Sequence, residues 1–168
     1  MKKLGFTFLM LLGITVVSFG QSEKIMVSAG FGVLAPACTN CDILSGFEAA
    51  GSYAFTEKIA ASANLGFFTR SENGGTINAF AIGVSGEYYF KEAFKGFYVS
   101  PDVTFISTTS KYDGLGSASE NNLTVGLNLG WAIGIGDKFR IIPHFGYGTW
   151  FEGTDGRITS GLRLGYKL

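Results

Sequence analysis

The chain of 168 residues balances 13 basic against 13 acidic side chains, is only 15% charged where a soluble domain averages about 25%, and carries 25 Gly, 16 Phe and 7 Tyr. Balanced charge excludes a nucleic-acid partner, which needs a clearly basic face. Beyond the first 20 residues no apolar run is long enough for a helical membrane span, so a chain this apolar must place its hydrophobic residues by alternation.

The opening "MKKLGFTFLMLLGITVVSFGQ" sets Lys2 and Lys3 before an apolar run from Leu4 to about Val17, with small residues at Ser18 and Gly20. This is the layout of a secretory signal peptide, residues 1–20, cut before Gln21. The run is short for a spanning helix, and no cysteine follows the cut to take a lipid. Cleavage removes two lysines and leaves 11 basic residues against 13 acidic ones, a formal charge of −2 over residues 21–168. Those residues suit one domain outside the cytoplasm.

Period-two alternation then recurs eight times, predicting strands at 24–34, 44–55, 59–70, 76–90, 96–109, 121–136, 138–152 and 156–168. The sixth is the clearest. In "LTVGLNLGWAIGIG", Leu123, Val125, Leu127, Leu129, Trp131, Ile133 and Ile135 alternate with Thr, Gly, Asn and Ala. The other strands sort the same way, with Phe31, Phe47, Phe67, Phe80, Phe105 and Phe145 on the bulky parity.

The second, fourth and sixth connections are compact ("TEK", "KEAFKG", "DK"), whereas the first, "APACTNCDI", and the fifth, "SKYDGLGSASE", are long. Short turns at one end and longer loops at the other predict an up-and-down barrel, and an even strand number returns both termini to the turn end. Two such barrels compete. A soluble lipocalin-like carrier keeps the apolar set inside, and a membrane barrel turns it to lipid. Were the small parity to face water, the surface would be Gly and Ala with few charges, a poor recipe for solubility. Facing a lumen, small residues are what an eight-stranded barrel has room for. The fold expected is therefore all-β, an eight-stranded antiparallel up-and-down transmembrane β-barrel over residues 21–168, monomeric, whose closed sheet satisfies its own amides in hydrocarbon. Tyr53, Phe55, Tyr88, Phe90 and Phe97 beside the turns, and Tyr147 and Phe151 toward the loops, read as interfacial girdles.

With its signal peptide, eight strands and closing "GLRLGYKL", the chain resembles the small outer-membrane β-barrel proteins of porin-like or OmpA/OmpX-like type, especially the compact version common in Bacteroidetes. Leu162, Leu164, Tyr166 and Leu168 resemble the C-terminal signal read by barrel-assembly machinery, though the chain ends on Leu168 where Phe is usual. The resemblance implies a bacterial outer-membrane location with both termini in the periplasm, and lipid and lipopolysaccharide as surroundings. It implies no particular function, because members share a fold far more than an activity. Lipid A deacylases are also eight-stranded barrels, with a His-x-Ser pair on the outer face. Here "PHFGYG" sets Gly146 where the serine would stand, and His144 falls on the lumen parity.

That parity carries Lys24, Glu48, Arg70, Glu87, Asp102, Arg140, His144, Glu152, Arg157 and Arg163. Buried charges are tolerated when paired, so the mid-strand members predict a polar plug of Glu48, Asp102 and Arg163 with His144 nearby. A single histidine excludes a His-based metal cluster, and no cofactor is expected. Cys38 and Cys41 of "CTNC" predict a loop disulfide in an oxidising compartment, since a redox reading needs a thioredoxin-like context. The glycines of "GLGS" and "NGG" are loop residues without a phosphate-binding context, and Asn122 of "NLT" falls in a strand. The reading is a non-enzymatic outer-membrane barrel with a structural or surface-interaction role through the loops at Ala35–Asp42 and Ser110–Glu120. A narrow passive channel is the alternative function.

Overall fold

A computed structural model of the chain describes residues 24–36, 43–72, 75–112, 116–150 and 156–168. The expected signal peptide, Cys38, Cys41, Phe151 and Glu152 lie outside the described residues. Eight strands follow one another: β1 (Ile25–Pro36), β2 (Leu44–Ala54), β3 (Ile59–Glu72), β4 (Gly75–Tyr89), β5 (Gly96–Tyr112), β6 (Gly116–Ile135), β7 (Phe139–Trp150) and β8 (Gly156–Lys167). Each pairs antiparallel with its chain neighbours, and β8 pairs with β1 to close the barrel.

The stagger of the barrel can be read from its paired residues. Starting at Met26, the row runs through Ser52, Ser62, Ser85, Asp102, Gly126, Gly148 and Arg157 and returns to β1 at Pro36, ten residues further along. A shear of that size goes with strands tilted by about 35–45°. A lateral row therefore climbs toward the loop end as it circles the barrel.

Parity decides what faces out. Phe31, Phe47 and Trp131 are 64%, 63% and 57% exposed, and Val84, Leu127, Ile135, Leu162 and Leu164 stand beside them on the same outer face. The next residues along each strand, among them Ser28, Ser52, Thr104 and Thr124, are buried. An apolar set turned outward all round the barrel is the arrangement lipid requires. The carrier reading, which needs that set inside, does not survive.

At the turn end the outer face carries rings in contact, Tyr53 with Phe55 at 5.1 Å, Phe90 with Phe97 at 5.4 Å and Phe139 with Tyr166 at 5.1 Å. Toward the loops the outer face changes character after Phe67, Phe80, Phe105 and Leu123, where Thr69, Asn78, Ser107 and Asn121 follow on the same parity. Strands β5 and β6 continue past that level to Tyr112 and Gly116, so "SKYDGLGSASE" is mostly strand where a long loop was expected. Cross-strand pairing of Ser and Thr explains the extension: Thr109 pairs with Ser119 and their hydroxyls bond at 3.1 Å. Residues 116–121 are exposed on both parities, as befits a ribbon that has left the barrel.

Candidate functional site in the barrel lumen

Small residues on the inner parity leave space that a few long side chains cross, and they do so in layers. At the turn end the β4–β5 connection folds inward. Phe94 is fully buried there against Tyr89, at 5.9 Å between ring centroids, and its cluster includes Met26, Tyr98 and Ile142. Phe94 has φ 63°, a region costly for a residue with a bulky side chain, so the surrounding contacts must hold it there. Arg140 does part of this. Its Nε donates to Phe94 O at 2.7 Å and its Nη1 to Phe139 O at 2.8 Å.

Above this apolar floor Glu87 accepts hydrogen bonds from Ser62 Oγ and from Tyr89 OH, the latter at 2.9 Å, while Ser52 and Ser62 hydroxyls meet at 2.5 Å. The next group spans the barrel. Glu48 Oε1 lies 3.1 Å from His144 Nε2 and 3.9 Å from the Arg163 guanidinium Nε, close to both but without hydrogen-bond alignment. The far end of Arg163 donates to Asn64 Oδ1 at 3.4 Å and to Tyr98 OH at 3.3 Å. Between Glu48 on β2 and His144 on β7 stand Gly32 and Gly161, and a Cβ built on Gly161 would lie 2.6 Å from Glu48 Oε1 and 2.7 Å from His144 Cε1. Glycine is what lets those two side chains meet.

A third group surrounds Asp102, which is buried and ion-paired with Arg157. Thr104 Oγ1 donates to Asp102 Oδ2 at 2.6 Å, Asn128 Nδ2 to Asp102 Oδ1 at 2.9 Å, and Arg157 Nε to Thr124 Oγ1 at 2.8 Å. Such saturation is what a buried pair needs to offset its desolvation. Toward the loops Leu34, Leu44, Phe68, Ala79 and Ile106 form a second apolar cluster, with Trp150 packed on it. A cavity of about 90 Å³ lies among the polar groups, lined by Glu48, Asp102, Arg157 and Arg163 among others, with room for a few water molecules.

The expected plug thus divides in two. Glu48, His144 and Arg163 come together, but Asp102 belongs to Arg157. The reason is the climb of the lateral rows: Asp102, Gly126, Gly148 and Arg157 are successive members of one row, so a residue near the start of β8 reaches the middle of β5. Arg140 and Glu87 also bear on the lumen, through backbone carbonyls and hydroxyls that charge counting does not reveal. Ser52, Ser62 and Tyr89 carried no signal beyond parity, and Phe94, in a turn between β4 and β5, carried none. His144 faces Glu48 inside the barrel and not the lipid side, and among the described residues no three His, Cys, Asp or Glu side chains are grouped to hold a metal ion.

No protein-family model matches the chain, and no curated protein does. Solved structures do match in fold. The attachment invasion locus protein Ail of Yersinia pestis aligns with a TM-score of 0.64 at 14% identity, covering 86% of this chain and 98% of that one. Neisserial surface protein A aligns with a TM-score of 0.65 at 9% identity, covering 86% and 97%. The outer membrane protein OprG of Pseudomonas aeruginosa aligns with a TM-score of 0.60 at 11% identity, covering 87% and 96%. Ail has also been solved with the heparin analogue sucrose octasulfate. The chain has the fold of these small outer-membrane barrels, a closed eight-stranded barrel that crosses the bilayer with its strands.

Proposed function

We propose that this protein is a non-conducting, non-enzymatic barrel of the bacterial outer membrane that holds the β5–β6 ribbon and the neighbouring loops at the cell surface for contact with an extracellular partner. Both termini lie in the periplasm, the barrel-assembly machinery inserts it, and lipid and lipopolysaccharide surround it. The observation that carries the sealed lumen is its layering. An apolar floor around Phe94, three polar groups centred on Glu87, on Glu48 and on Asp102, and an apolar layer around Phe68 and Ile106 lie across one narrow bore. The disulfide between Cys38 and Cys41 belongs to this reading as a clamp on the first loop, checked by thiol titration after denaturation: two reactive thiols refute it.

Planar-bilayer recording tests the sealed lumen. The expected result is no reproducible unitary conductance from the wild-type barrel. Reproducible conductance that shifts when Glu48 or Arg163 is neutralised overturns the proposal in favour of a narrow channel. A polyanion such as the sulfated sugar bound by Ail is not favoured here. In the sequence, the odd-numbered connections and the strand ends beside them hold Asp42, Glu72, Asp113, Glu120, Glu152 and Asp155 against Arg70 and Lys111, while Arg157 is ion-paired with Asp102.

A further inference from the structure

The sheet of β3, β4, β5 and β6 continues toward the loops beyond its neighbours β2 and β7, and its two edges differ. Past the Ser45–Thr69 pair β3 has lost its β2 partner, and two of its last three residues, Arg70 and Glu72, are charged. β6 meets β7 only from Thr124 onward, so among the described residues Gly116 to Glu120 pair with β5 alone. Proteins protect such an edge with lysine, proline or a bulge. None of these guards β6 here: its register with β5 is unbroken from Ala132 to Gly116, and Gly116, Ser117, Ala118 and Ser119 are exposed and too small to screen the backbone. Glu120 is the charge on this stretch. It is exposed, its Oε1 accepts from Asn122 Nδ2 at 2.8 Å, and of the ion pairs among the described residues none includes it.

We propose that the open edge of β6 takes up an extended segment of a partner protein as an added strand, with a lysine or arginine of that segment opposite Glu120. The proposal rests on the surface role of the ribbon proposed above and names the chemistry of its partner. In strand addition the main chain supplies affinity and alternate side chains supply specificity. Charge selects the occupant. A second copy of this chain, pairing edge to edge, would set Glu120 and the acidic connections of one barrel against those of the other, whereas a cationic segment is drawn to them.

The full barrel, isotope-labelled and folded in zwitterionic lipid nanodiscs, is titrated with backbone-cyclised β-hairpins that present one open strand, the outward amides of the other strand being N-methylated. Cyclisation removes most of the cost of ordering the strand. In one hairpin the open strand alternates lysine with threonine, in a second it alternates glutamate with threonine, and in a third the lysine strand is itself N-methylated on its outward amides. The expected result is saturable amide shifts centred on residues 116–120 with the lysine hairpin, and none there with the blocked one. The glutamate hairpin should bind about tenfold more weakly, because attraction at Glu120 is exchanged for repulsion. Glu120→Lys, a change at an exposed position, should remove the preference for lysine while dispersed strand amides report the barrel still folded. Absence of shifts with the lysine hairpin, or equal binding of the open and blocked hairpins, overturns strand addition. Equal binding of the lysine and glutamate hairpins overturns the cationic partner, and self-association of the unliganded barrel through residues 116–120 makes a second copy the occupant. Protease access on intact cells reads the surface position of the ribbon separately, so the two proposals fail independently.

Discussion

At the scale of single residues, the Asp102–Arg157 pair is the sharpest test of how the lumen is held. Both side chains are buried, and each removal strands the other's charge. Asp102→Asn should cost about 3–5 kcal/mol, as should Arg157→Met, while the double variant should cost clearly less than the two together. Urea unfolding in phospholipid vesicles, followed by tryptophan fluorescence, measures this cycle, and strict additivity would show that the pair is not coupled. Glycine is the silent partner. A Cβ on Gly126 would stand 2.7 Å from Asp102 Oδ1 and 2.8 Å from Tyr147 O, so Gly126→Ala should destabilise by about 1–3 kcal/mol in the same assay. Parity alone placed Asp102, Arg157 and Gly126 on the inner face. Which of them meet was hidden, because it depends on the stagger of rows, and no single strand encodes that.

At the scale of elements, the strands were legible because lipid outside and a narrow bore inside impose the strictest alternation a sheet can have. That constraint stops where the ribbon leaves the bilayer. Beyond Thr109 neither face is forced to be apolar, so residues 110–120 read as loop although Ser110 with Ala118 and Lys111 with Ser117 pair as strand. The two halves of the ribbon differ: among the described residues its β6 half, Gly116 to Glu120, pairs with β5 alone, whereas its β5 half also pairs with β4 from Ala79 to Gly75. Ser107 and Asn121 are already partners, so joining them through a two-residue Asn-Gly turn keeps the register intact. The shortened barrel should still fold, with its unfolding midpoint lowered by the loss of the β4 partners between Thr108 and Tyr112. Failure to fold would mean that this end of the β4–β5 ladder is required for barrel closure. If the ribbon is the contact surface, the same deletion should abolish binding to any surface partner the intact protein has.

At the scale of the whole molecule, topology, outward band and closing row agree on one architecture, and each follows from the others: eight strands close without an edge, closure forces a bore too narrow for bulk, and bulk must then face lipid. Phe94 is the exception that alternation could not announce. It lies in a turn, off any strand, and its carbonyl is held by Arg140 from the far side of the bore. If Phe94 seals the turn end, Phe94→Gly should relieve the φ of 63° yet open the floor. The variant should then let water into the lumen as far as the polar groups, seen as faster deuterium exchange at Tyr98 and Ile142 amides, while the apolar layer at the loop end still blocks conductance. Orientation is testable by the same logic of ends. A protease site inserted between Asp113 and Leu115, at the tip of the β5–β6 ribbon, should be cut on intact cells, and one inserted at Asp137, in the β6–β7 turn, only after the envelope is opened. The reverse pattern would place the ribbon inside the envelope, and a surface role could not stand.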